Sequence, residues 1–190
     1  RWLSWVVDRA FVGFPDAAAR LHTRQTLATG TPVRPQIQPR DDAACRAALG
    51  LEPARPVLLV MGGSQGASGI NDLVARTLPL LAKAVPELQL FFLTGPADVE
   101  KTRQACAASM SKAVVHPFFA EMDLALGAAT VAISRAGASS LAELAAVRVP
   151  SVLIPFPAAT DNHQFNNAQA FKETGAARLL EQQSATPEML

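Results

Sequence analysis

The sequence predicts an α/β fold built on one doubly wound parallel sheet. Several short apolar runs are rich in Val, Leu, Ile and Phe without polar alternation, which is typical of strands that are buried on both faces. Longer segments with a helical pattern separate these runs along the chain. Alternation of this kind implies crossover helices between parallel strands, with helices on both faces of the sheet.

The predicted elements follow one another in a regular order. The first helix is capped by Asp41 and ends at Gly50. Strands are expected at 56–61, 89–94, 113–116, 130–134, 151–155 and 177–180, and helices at 67–84, 97–110, 120–128, 139–147 and 163–174. Pro79 should kink or interrupt the helix around it, because proline lacks a backbone N–H. Pro150 ends one helix and opens the next strand.

The domain boundary is expected near residue 30. The segment 29–39 (TGTPVRPQIQP) is rich in proline and cannot form a regular helix, so it is interpreted as a linker. Residues 30–190 then form the main α/β domain. Residues 1–29 are interpreted as the end of a preceding domain, and the start at Arg1 suggests a chain cut from something longer.

Composition excludes several classes of function. Hydrophobic residues make up 49% of the 190 positions, which is enough for a buried core. Lys+Arg 17 against Asp+Glu 16 gives no basic surface that would favour a nucleic-acid partner. No apolar run approaches the ~20 residues that span a bilayer. Cys45, Cys106 and the scattered histidines have no metal-ligand spacing, so no metal site is expected.

A glycine-rich loop, GGSQGA at 62–67, directly follows the strand predicted at 56–61. Glycines let backbone N–H groups approach a ligand, and the helix that follows favours a phosphate at its N-terminus. Ser64 can add a hydroxyl donor. The alternative interpretation is that this loop is only a tight turn between a strand and a helix. The loop matches neither the ATP-type P-loop nor the dinucleotide pattern, and the next strand ends without an acidic residue for a ribose.

A second loop of small residues, SRAGASS at 134–140, also joins a strand to a helix. Gly137 permits close backbone approach to a ligand. Glu143 lies in the first turn or so of the helix, where its carboxylate can accept hydrogen bonds from the two hydroxyls of a ribose. Stabilisation of Glu143 by the helix dipole alone is the other interpretation.

Two further segments offer polar or aromatic groups after strands. The loop at 156–167 is rich in amides, and Asp161 or Asn162 is expected to cap the helix that it precedes. Gln164 and Asn167 share a helix face and suit recognition of sugar hydroxyls, unless they form only a polar helix start. Phe119, after the strand at 113–116, could stack on a flat base, although an aromatic there is more often core.

Together these motifs resemble the MurG-type glycosyltransferases. The resemblance rests on four stretches in matching order and spacing: TGTPVRP (29–35), VLLVMGGSQGASGIN (57–71), SRAGASSLAELAA (134–146) and VPSVLIPFPAATDNHQFNNA (149–168). It implies a Rossmann-like domain, the carboxyl-terminal half of a GT-B glycosyltransferase, which binds UDP-N-acetylglucosamine. Thr31 and the turn 147–149 depart from the usual Asn and the usual glycine-containing turn.

The resemblance also implies which residues contact the donor: Arg34, Ser64, Gln65, Phe119, Ala138, Ser139, Ser140, Glu143, His163, Gln164 and Asn167. Arg34 would approach the uracil or the diphosphate, and the loop of Ser64 would bind the diphosphate. Residues 138–140 would line the diphosphate and the sugar. The backbone of Phe119 would read the uracil, and Glu143 would hold the ribose.

For the N-acetylglucosamine itself, the resemblance implies contacts from Gln164 and Asn167, with His163 beside them. The implied reaction is an inverting transfer to a lipid-linked N-acetylmuramyl-pentapeptide, with no cofactor and no metal. The undecaprenyl-linked acceptor and the catalytic base would belong to an amino-terminal domain outside this chain. The whole enzyme would lie peripherally on the cytoplasmic face of the membrane.

Other functions remain open at this stage. Another GT-B enzyme that uses a UDP-sugar, such as a glycolipid glycosyltransferase or a UDP-N-acetylglucosamine 2-epimerase, fits the same architecture. A non-catalytic nucleotide-binding module fits it as well. The isolated chain is expected to bind donor weakly and to transfer nothing by itself.

Overall fold

A computed structural model describes residues 2–63, 66–110 and 112–190. Its strands and α-helices, in chain order, are β1 (Arg9–Val12), β2 (Gln25–Ala28), α1 (Asp42–Ala48), β3 (Val57–Met61), α2 (Ser68–Ala84), β4 (Gln89–Leu93), α3 (Val99–Ser109), β5 (Ala113–His116), α4 (Met122–Ala128), β6 (Val131–Ser134), α5 (Ala138–Val147), β7 (Ser151–Leu153), α6 (His163–Glu173) and β8 (Ala177–Leu179). The six strands from β3 to β8 begin and end within two residues of the sequence prediction.

Strands β3 to β8 form one parallel sheet in the order β5-β4-β3-β6-β7-β8. The chain builds outward from β3 to β5, crosses back to place β6 beside β3, and builds outward again to β8. The order therefore reverses between β3 and β6, and ligands bind at such a switch point in open α/β sheets. The predicted doubly wound parallel sheet is confirmed.

The core lies on both faces of this sheet. Alternate residues of β3 point to opposite sides, so Leu59 packs in the cluster with α4, α5 and α6, whereas Val60 packs with α2 and α3. Phe91 and Phe92 of β4 divide in the same way and are fully buried. Burial on both sides explains why these strands show no polar alternation.

Two local expectations about helices were wrong: an interruption at Pro79, which was the alternative to a kink there, and a side-chain cap on α6. Helix α2 is continuous across Pro79. Its neighbour Leu78 is fully buried, as is Val74 one turn earlier, and this packing holds the helix through the missing hydrogen bond. Asn162 occupies the N-cap position of α6, but it has φ 53° and its side chain makes no capping hydrogen bond. The cap predicted at Asp41 is confirmed, since its carboxylate accepts from the Ala44 N–H at 2.6 Å.

The first residues carry a small two-stranded sheet. Strands β1 and β2 pair in parallel with each other and not with the main sheet, and the 3-10 helix Pro15–Arg20 connects them. Strand β2 was not predicted, since its four residues QTLA give a weak pattern. Residues 29–39 form neither helix nor strand, as expected, and Ile37 anchors them in the core. Among the described residues, no helix is both long enough and apolar enough to cross a membrane.

Candidate functional site

The loops that follow β3 and β6 lie side by side at the switch point of the sheet. Met61, the last residue of β3, is the register partner of Ser134, the last residue of β6. An open cleft of about 610 Å³ lies beyond these strand ends, and Gly63, Gly137 and Gln164 all line it. The three polar loops singled out in the sequence therefore converge on one space, here called the glycine-lined cleft.

The backbone of the first loop passes too close to its neighbours for any side chain at Gly66. This residue has φ 81°, and a Cβ there would lie 2.2 Å from the carbonyl oxygen of Thr94, at the end of β4. A Cβ at Gly62 would lie 2.4 Å from the Cβ of Ala67. The glycines therefore let this loop fold tightly against the neighbouring strand end, where its main chain borders the cleft.

Two helices begin at this cleft. The N-cap residues of α2 and α5, Ala67 and Gly137, make no side-chain capping bond. Ser68 and Gly69 in the first turn of α2 line the cleft, as does Ser140 in the first turn of α5. The first-turn N–H groups of a helix carry a partial positive charge and bind anions. The cleft is therefore suited to a phosphate-containing ligand.

A second, smaller cavity of about 200 Å³ adjoins the cleft and is here called the aromatic pocket. Arg34, Phe118, Phe119 and Glu143 line it. Gly63 and Ser140 line both spaces, so pocket and cleft meet at these two residues.

Glu143 and Arg34 form an ion pair at the aromatic pocket. Arg34 Nε donates to Glu143 Oε1 at 3.0 Å, and the side chains are 44% and 15% exposed respectively. Because α5 begins at Ala138, Glu143 lies in the second turn and not in the first. The interpretation of Glu143 as a carboxylate stabilised only by the helix end is weakened, since the dipole effect fades beyond the first turn.

Phe119 serves the core and the pocket together. Its ring lies edge-on to Phe91 at 5.1 Å between centroids and tilted to His116 at 5.5 Å. The same residue lines the aromatic pocket beside Phe118, which is 63% exposed. The two interpretations from the sequence, core packing and a wall for a flat ligand, are therefore compatible.

The residues assigned to the sugar by resemblance do not all lie together. Gln164 lines the glycine-lined cleft, and its Oε1 accepts from the Phe156 N–H at 3.0 Å. His163 and Asn167 instead line a separate cavity on the side of Phe14. Two residues three positions apart on a helix share only part of a face. Here Gln164 and Asn167 border different cavities.

Asn167 and His163 are both engaged with nearby backbone. Asn167 Nδ2 donates to the carbonyl of Ala136 at 3.1 Å, and so ties α6 to the loop after β6. His163 Nδ1 lies 2.7 Å from the Thr160 carbonyl oxygen. Asn167 thus ties α6 to the second loop, one residue before Gly137 of the glycine-lined cleft, and its predicted contact with a sugar stays a prediction.

The remaining predicted contacts divide into two groups. Ser64 and Gln65 lie outside the described residues. Ala138 and Ser139 open α5, but neither side chain lines the cleft or the pocket, and Ser139 is exposed. Their contribution at this helix start would come from the backbone.

Sequence reasoning missed Arg135, the residue directly after β6. It lines the glycine-lined cleft and is only 8% exposed. Its guanidinium donates to the carbonyls of Ile154 and Pro155 and to Gln182 Oε1, at 3.0, 3.1 and 2.7 Å. Burial lowers the pKa of Arg135 from its usual range, because desolvation disfavours the charged form. The available signal was a basic residue placed between a buried strand and a run of small residues.

No group of three or more His, Cys, Asp or Glu side chains that could hold a metal ion occurs in the part of the chain that the structure describes. The chemistry that the site offers comes from backbone N–H groups, helix N-termini, one carboxylate and buried Arg135. Such groups suit binding of a nucleotide through its ribose and its phosphates.

Comparison with known proteins gives the family. Residues 57–190 match the family model described as the glycosyltransferase family 28 C-terminal domain. The chain belongs to this family. The match starts at the first residue of β3, so the family 28 domain contains the whole six-stranded sheet, the glycine-lined cleft and most of the aromatic pocket.

Relatives extend the similarity beyond the family 28 domain. Two curated proteins, from Sorangium cellulosum and from Anaeromyxobacter sp. (strain K), are 41% and 38% identical over 98% and 100% of this chain. Both are named UDP-N-acetylglucosamine--N-acetylmuramyl-(pentapeptide) pyrophosphoryl-undecaprenol N-acetylglucosamine transferase. The chain spans 45% and 48% of their lengths, or about half.

A solved structure supports the same relationship. The crystal structure of MurG from Acinetobacter baumannii aligns with a TM-score of 0.71 and 30% identity, covering 95% of this chain and 53% of that one. The chain therefore has the Rossmann-like fold of the carboxyl-terminal half of a GT-B glycosyltransferase, and the resemblance inferred from the sequence is confirmed.

Proposed function

We propose that this chain is the donor-binding half of an inverting hexosyltransferase that uses UDP-N-acetylglucosamine. The observation that carries the proposal is the junction of two unlike spaces at Gly63 and Ser140. The aromatic pocket offers a flat apolar wall and a carboxylate, which suit a nucleoside, whereas the glycine-lined cleft offers helix N-termini, which suit phosphates. The names of the two curated relatives state the same donor.

The proposed ligand runs from the aromatic pocket into the cleft. The uracil lies along Phe119, and the ribose hydroxyls bond to Glu143. The diphosphate lies between the first turns of α2 and α5, where Ser140 borders both spaces. The sugar extends toward Gln164, near the loop that Asn167 ties to α6, and His163 contacts the Thr160 carbonyl beside it.

The proposed chemistry is stabilisation of a leaving group. A hydroxyl oxygen of the acceptor bonds to the anomeric carbon as the bond from that carbon to the diphosphate breaks, and negative charge grows on the departing UDP. The N–H groups at the starts of α2 and α5 already face that charge, so they stabilise the transition state without reorganising. We assign no catalytic base to this chain. The lipid-linked N-acetylmuramyl-pentapeptide acceptor and the base would lie in the remainder of a longer enzyme, on the cytoplasmic face of the membrane.

The first test is isothermal titration of the chain with UDP-N-acetylglucosamine, UDP and ADP. We expect UDP to bind at least about tenfold more tightly than ADP, a difference of ~1.4 kcal/mol. The donor itself should bind with an affinity distinct from that of UDP, because Gln164 contacts the sugar. Equal affinities for UDP and ADP would contradict the proposal, and so would transfer of sugar to the lipid-linked acceptor by this chain alone.

A pair of variants localises the binding. Ser140→Phe places a ring at the junction of pocket and cleft, so UDP binding should be lost. Ser139→Phe makes the same change at the neighbouring exposed position, which lines neither space, so UDP binding should persist. If both folded variants bind UDP as the parent chain does, the ligand does not occupy this junction.

A further inference from the structure

Arg135 is a buried cation without an acidic partner. Arg135 is 8% exposed, and no Asp or Glu among the described residues forms an ion pair with it. It is also the one charged side chain among the described residues that line the glycine-lined cleft. A buried charge without a counter-charge is unfavourable, so an anion in the cleft would supply what the protein itself does not.

The guanidinium still has donors to offer. Its Nη1 donates to the carbonyls of Ile154 and Pro155, and its Nη2 donates to Gln182 Oε1. The Nε–H has no hydrogen-bond partner among the described residues. Guanidinium N–H groups bind phosphate oxygens strongly, because the bonds are assisted by charge and the plane is rigid. The ring of Phe156 lies 5.4 Å from Arg135 Cζ and covers one side of the group.

Gln182 accepts a hydrogen bond from this guanidinium at 2.7 Å and lines the same cleft. It lies in the segment after β8 and lines the cleft beside the first turn of α2. A Cβ at Gly69 would lie 2.6 Å from Gln182 Oε1, so the absence of a side chain at Gly69 makes room for the carboxamide. Because Gln182 is neutral, it orients Arg135 without cancelling its charge. Glutamate in the same place would cancel it.

We propose that Arg135 is the fixed cation that binds the diphosphate of the donor, and that Gln182 is the positioning residue that aims it. The inference rests on the proposed function, and it adds a specific charge to the backbone donors of α2 and α5. Three loops would then act as one unit around the diphosphate, since Arg135 bonds both to the loop after β7 and to the segment after β8.

The decisive variant is Gln182→Glu, with Gln183→Glu as its matched control. Gln183 is exposed and does not line the cleft, so its variant adds the same charge one residue away. We expect Gln182→Glu to lower UDP affinity about 10- to 100-fold, the range of a hydrogen-bonded charge, while uridine affinity stays within about twofold. Gln183→Glu should change neither. Thermal melting should show that Gln182→Glu folds at least as stably as the parent chain, because it gives Arg135 a partner.

The outcomes separate this inference from the proposed function. If the parent chain binds neither UDP nor uridine, the proposed function fails. If the parent binds UDP, and Gln182→Glu leaves the ratio of UDP to uridine affinity unchanged, the role of Arg135 is overturned. A comparison of the UDP affinities of Arg135→Lys and Arg135→Gln is a second test, which does not depend on Gln182. We expect lysine to retain more UDP affinity than glutamine, and equal losses would indicate a structural clamp only.

Discussion

Glu143→Gln removes the one negative charge that lines the aromatic pocket among the described residues. The carboxylate is 15% exposed and accepts from Arg34 Nε at 3.0 Å, so the protein itself holds it at the pocket. A hydrogen bond to a charged group contributes about 1.5–3 kcal/mol, against about 1 kcal/mol for a neutral pair. Loss of the charge-assisted bonds to a ribose should therefore weaken UDP binding about 10- to 100-fold.

The same substitution should barely affect folding. Arg34 is 44% exposed, and solvent screens an ion pair of this kind, so its loss should lower the free energy of unfolding by less than about 1 kcal/mol. Isothermal titration with UDP and with uridine measures the first effect, and urea unfolding measures the second. Both ligands contain the ribose, so their affinities should fall by the same factor. This distinguishes Glu143 from Arg135, whose effect should be confined to UDP.

Glu100→Gln is the matched control for Glu143→Gln. Glu100 lies in the first turn of α3, is exposed, and bonds only to Gln104, at 3.2 Å, among the described residues. It lines neither the aromatic pocket nor the glycine-lined cleft. Its variant should bind both ligands as the parent chain does. A folded Glu143→Gln variant with unchanged affinity for uridine would refute the ribose contact and the reasoning that places a nucleoside in the aromatic pocket.

Three further predictions concern stability. Gly66→Ala should lower the free energy of unfolding by about 2–5 kcal/mol, because its Cβ would meet the Thr94 carbonyl at 2.2 Å and its φ is 81°. Gly50→Ala, at φ 71° in open space, should cost only about 1–2 kcal/mol, and equal losses in urea unfolding would exclude the steric cause. Arg148→Gly should raise the urea midpoint of unfolding and the free energy of unfolding by up to about 1 kcal/mol. Arg148 holds φ 60° at the end of α5, and relief of that strain exceeds the entropy that glycine adds to the unfolded chain. A lower midpoint would contradict this. Burial raises the pKa of the Cys106 thiol to about 11, because the thiolate is disfavoured in the folded chain. The stability that this neutral thiol contributes should be complete below the unfolded pKa of ~8.5 and lost as the pH rises through about 11. Urea unfolding of Cys106→Ala across this range should show a shallower decline than the parent chain, and identical declines would show that another group is responsible.

The fold could be predicted from the sequence because its strands are buried on both faces. Runs such as VLLVM are apolar throughout, so they are not mistaken for strands with one face in solvent. The glycine-containing loops mark where β3 and β6 end. Strand β2 gave no such signal, since it pairs only with β1 and is largely exposed. Pro79 does not interrupt α2, because local propensity carries less weight than the packing of this helix on the sheet.

The site was only partly predictable for a different reason. Convergence of Gly63, Gly137 and Gln164 follows from parallel topology, since the carboxyl ends of the strands share one edge. Side-chain direction does not follow from spacing, and so the hydrogen bond from Asn167 to the Ala136 carbonyl could not be predicted. Arg135 was missed because its surroundings, carbonyls of the loop after β7 and the amide of Gln182, come from distant parts of the chain.

The central position of β3 bears on how the chain reaches its native state. One edge of β3 pairs with β4, but the other must wait for β6, and the first paired residues, Leu58 and Val131, are far apart along the chain. During synthesis, the unpaired backbone N–H and C=O groups on the open edge of β3 stay uncovered after β4 and β5 have formed, and such edges recruit other chains. Closing this long-range pairing also carries an entropy cost that slows folding. A ribosome-bound chain that stops before residue 131 should therefore depend on chaperones more than the finished domain does.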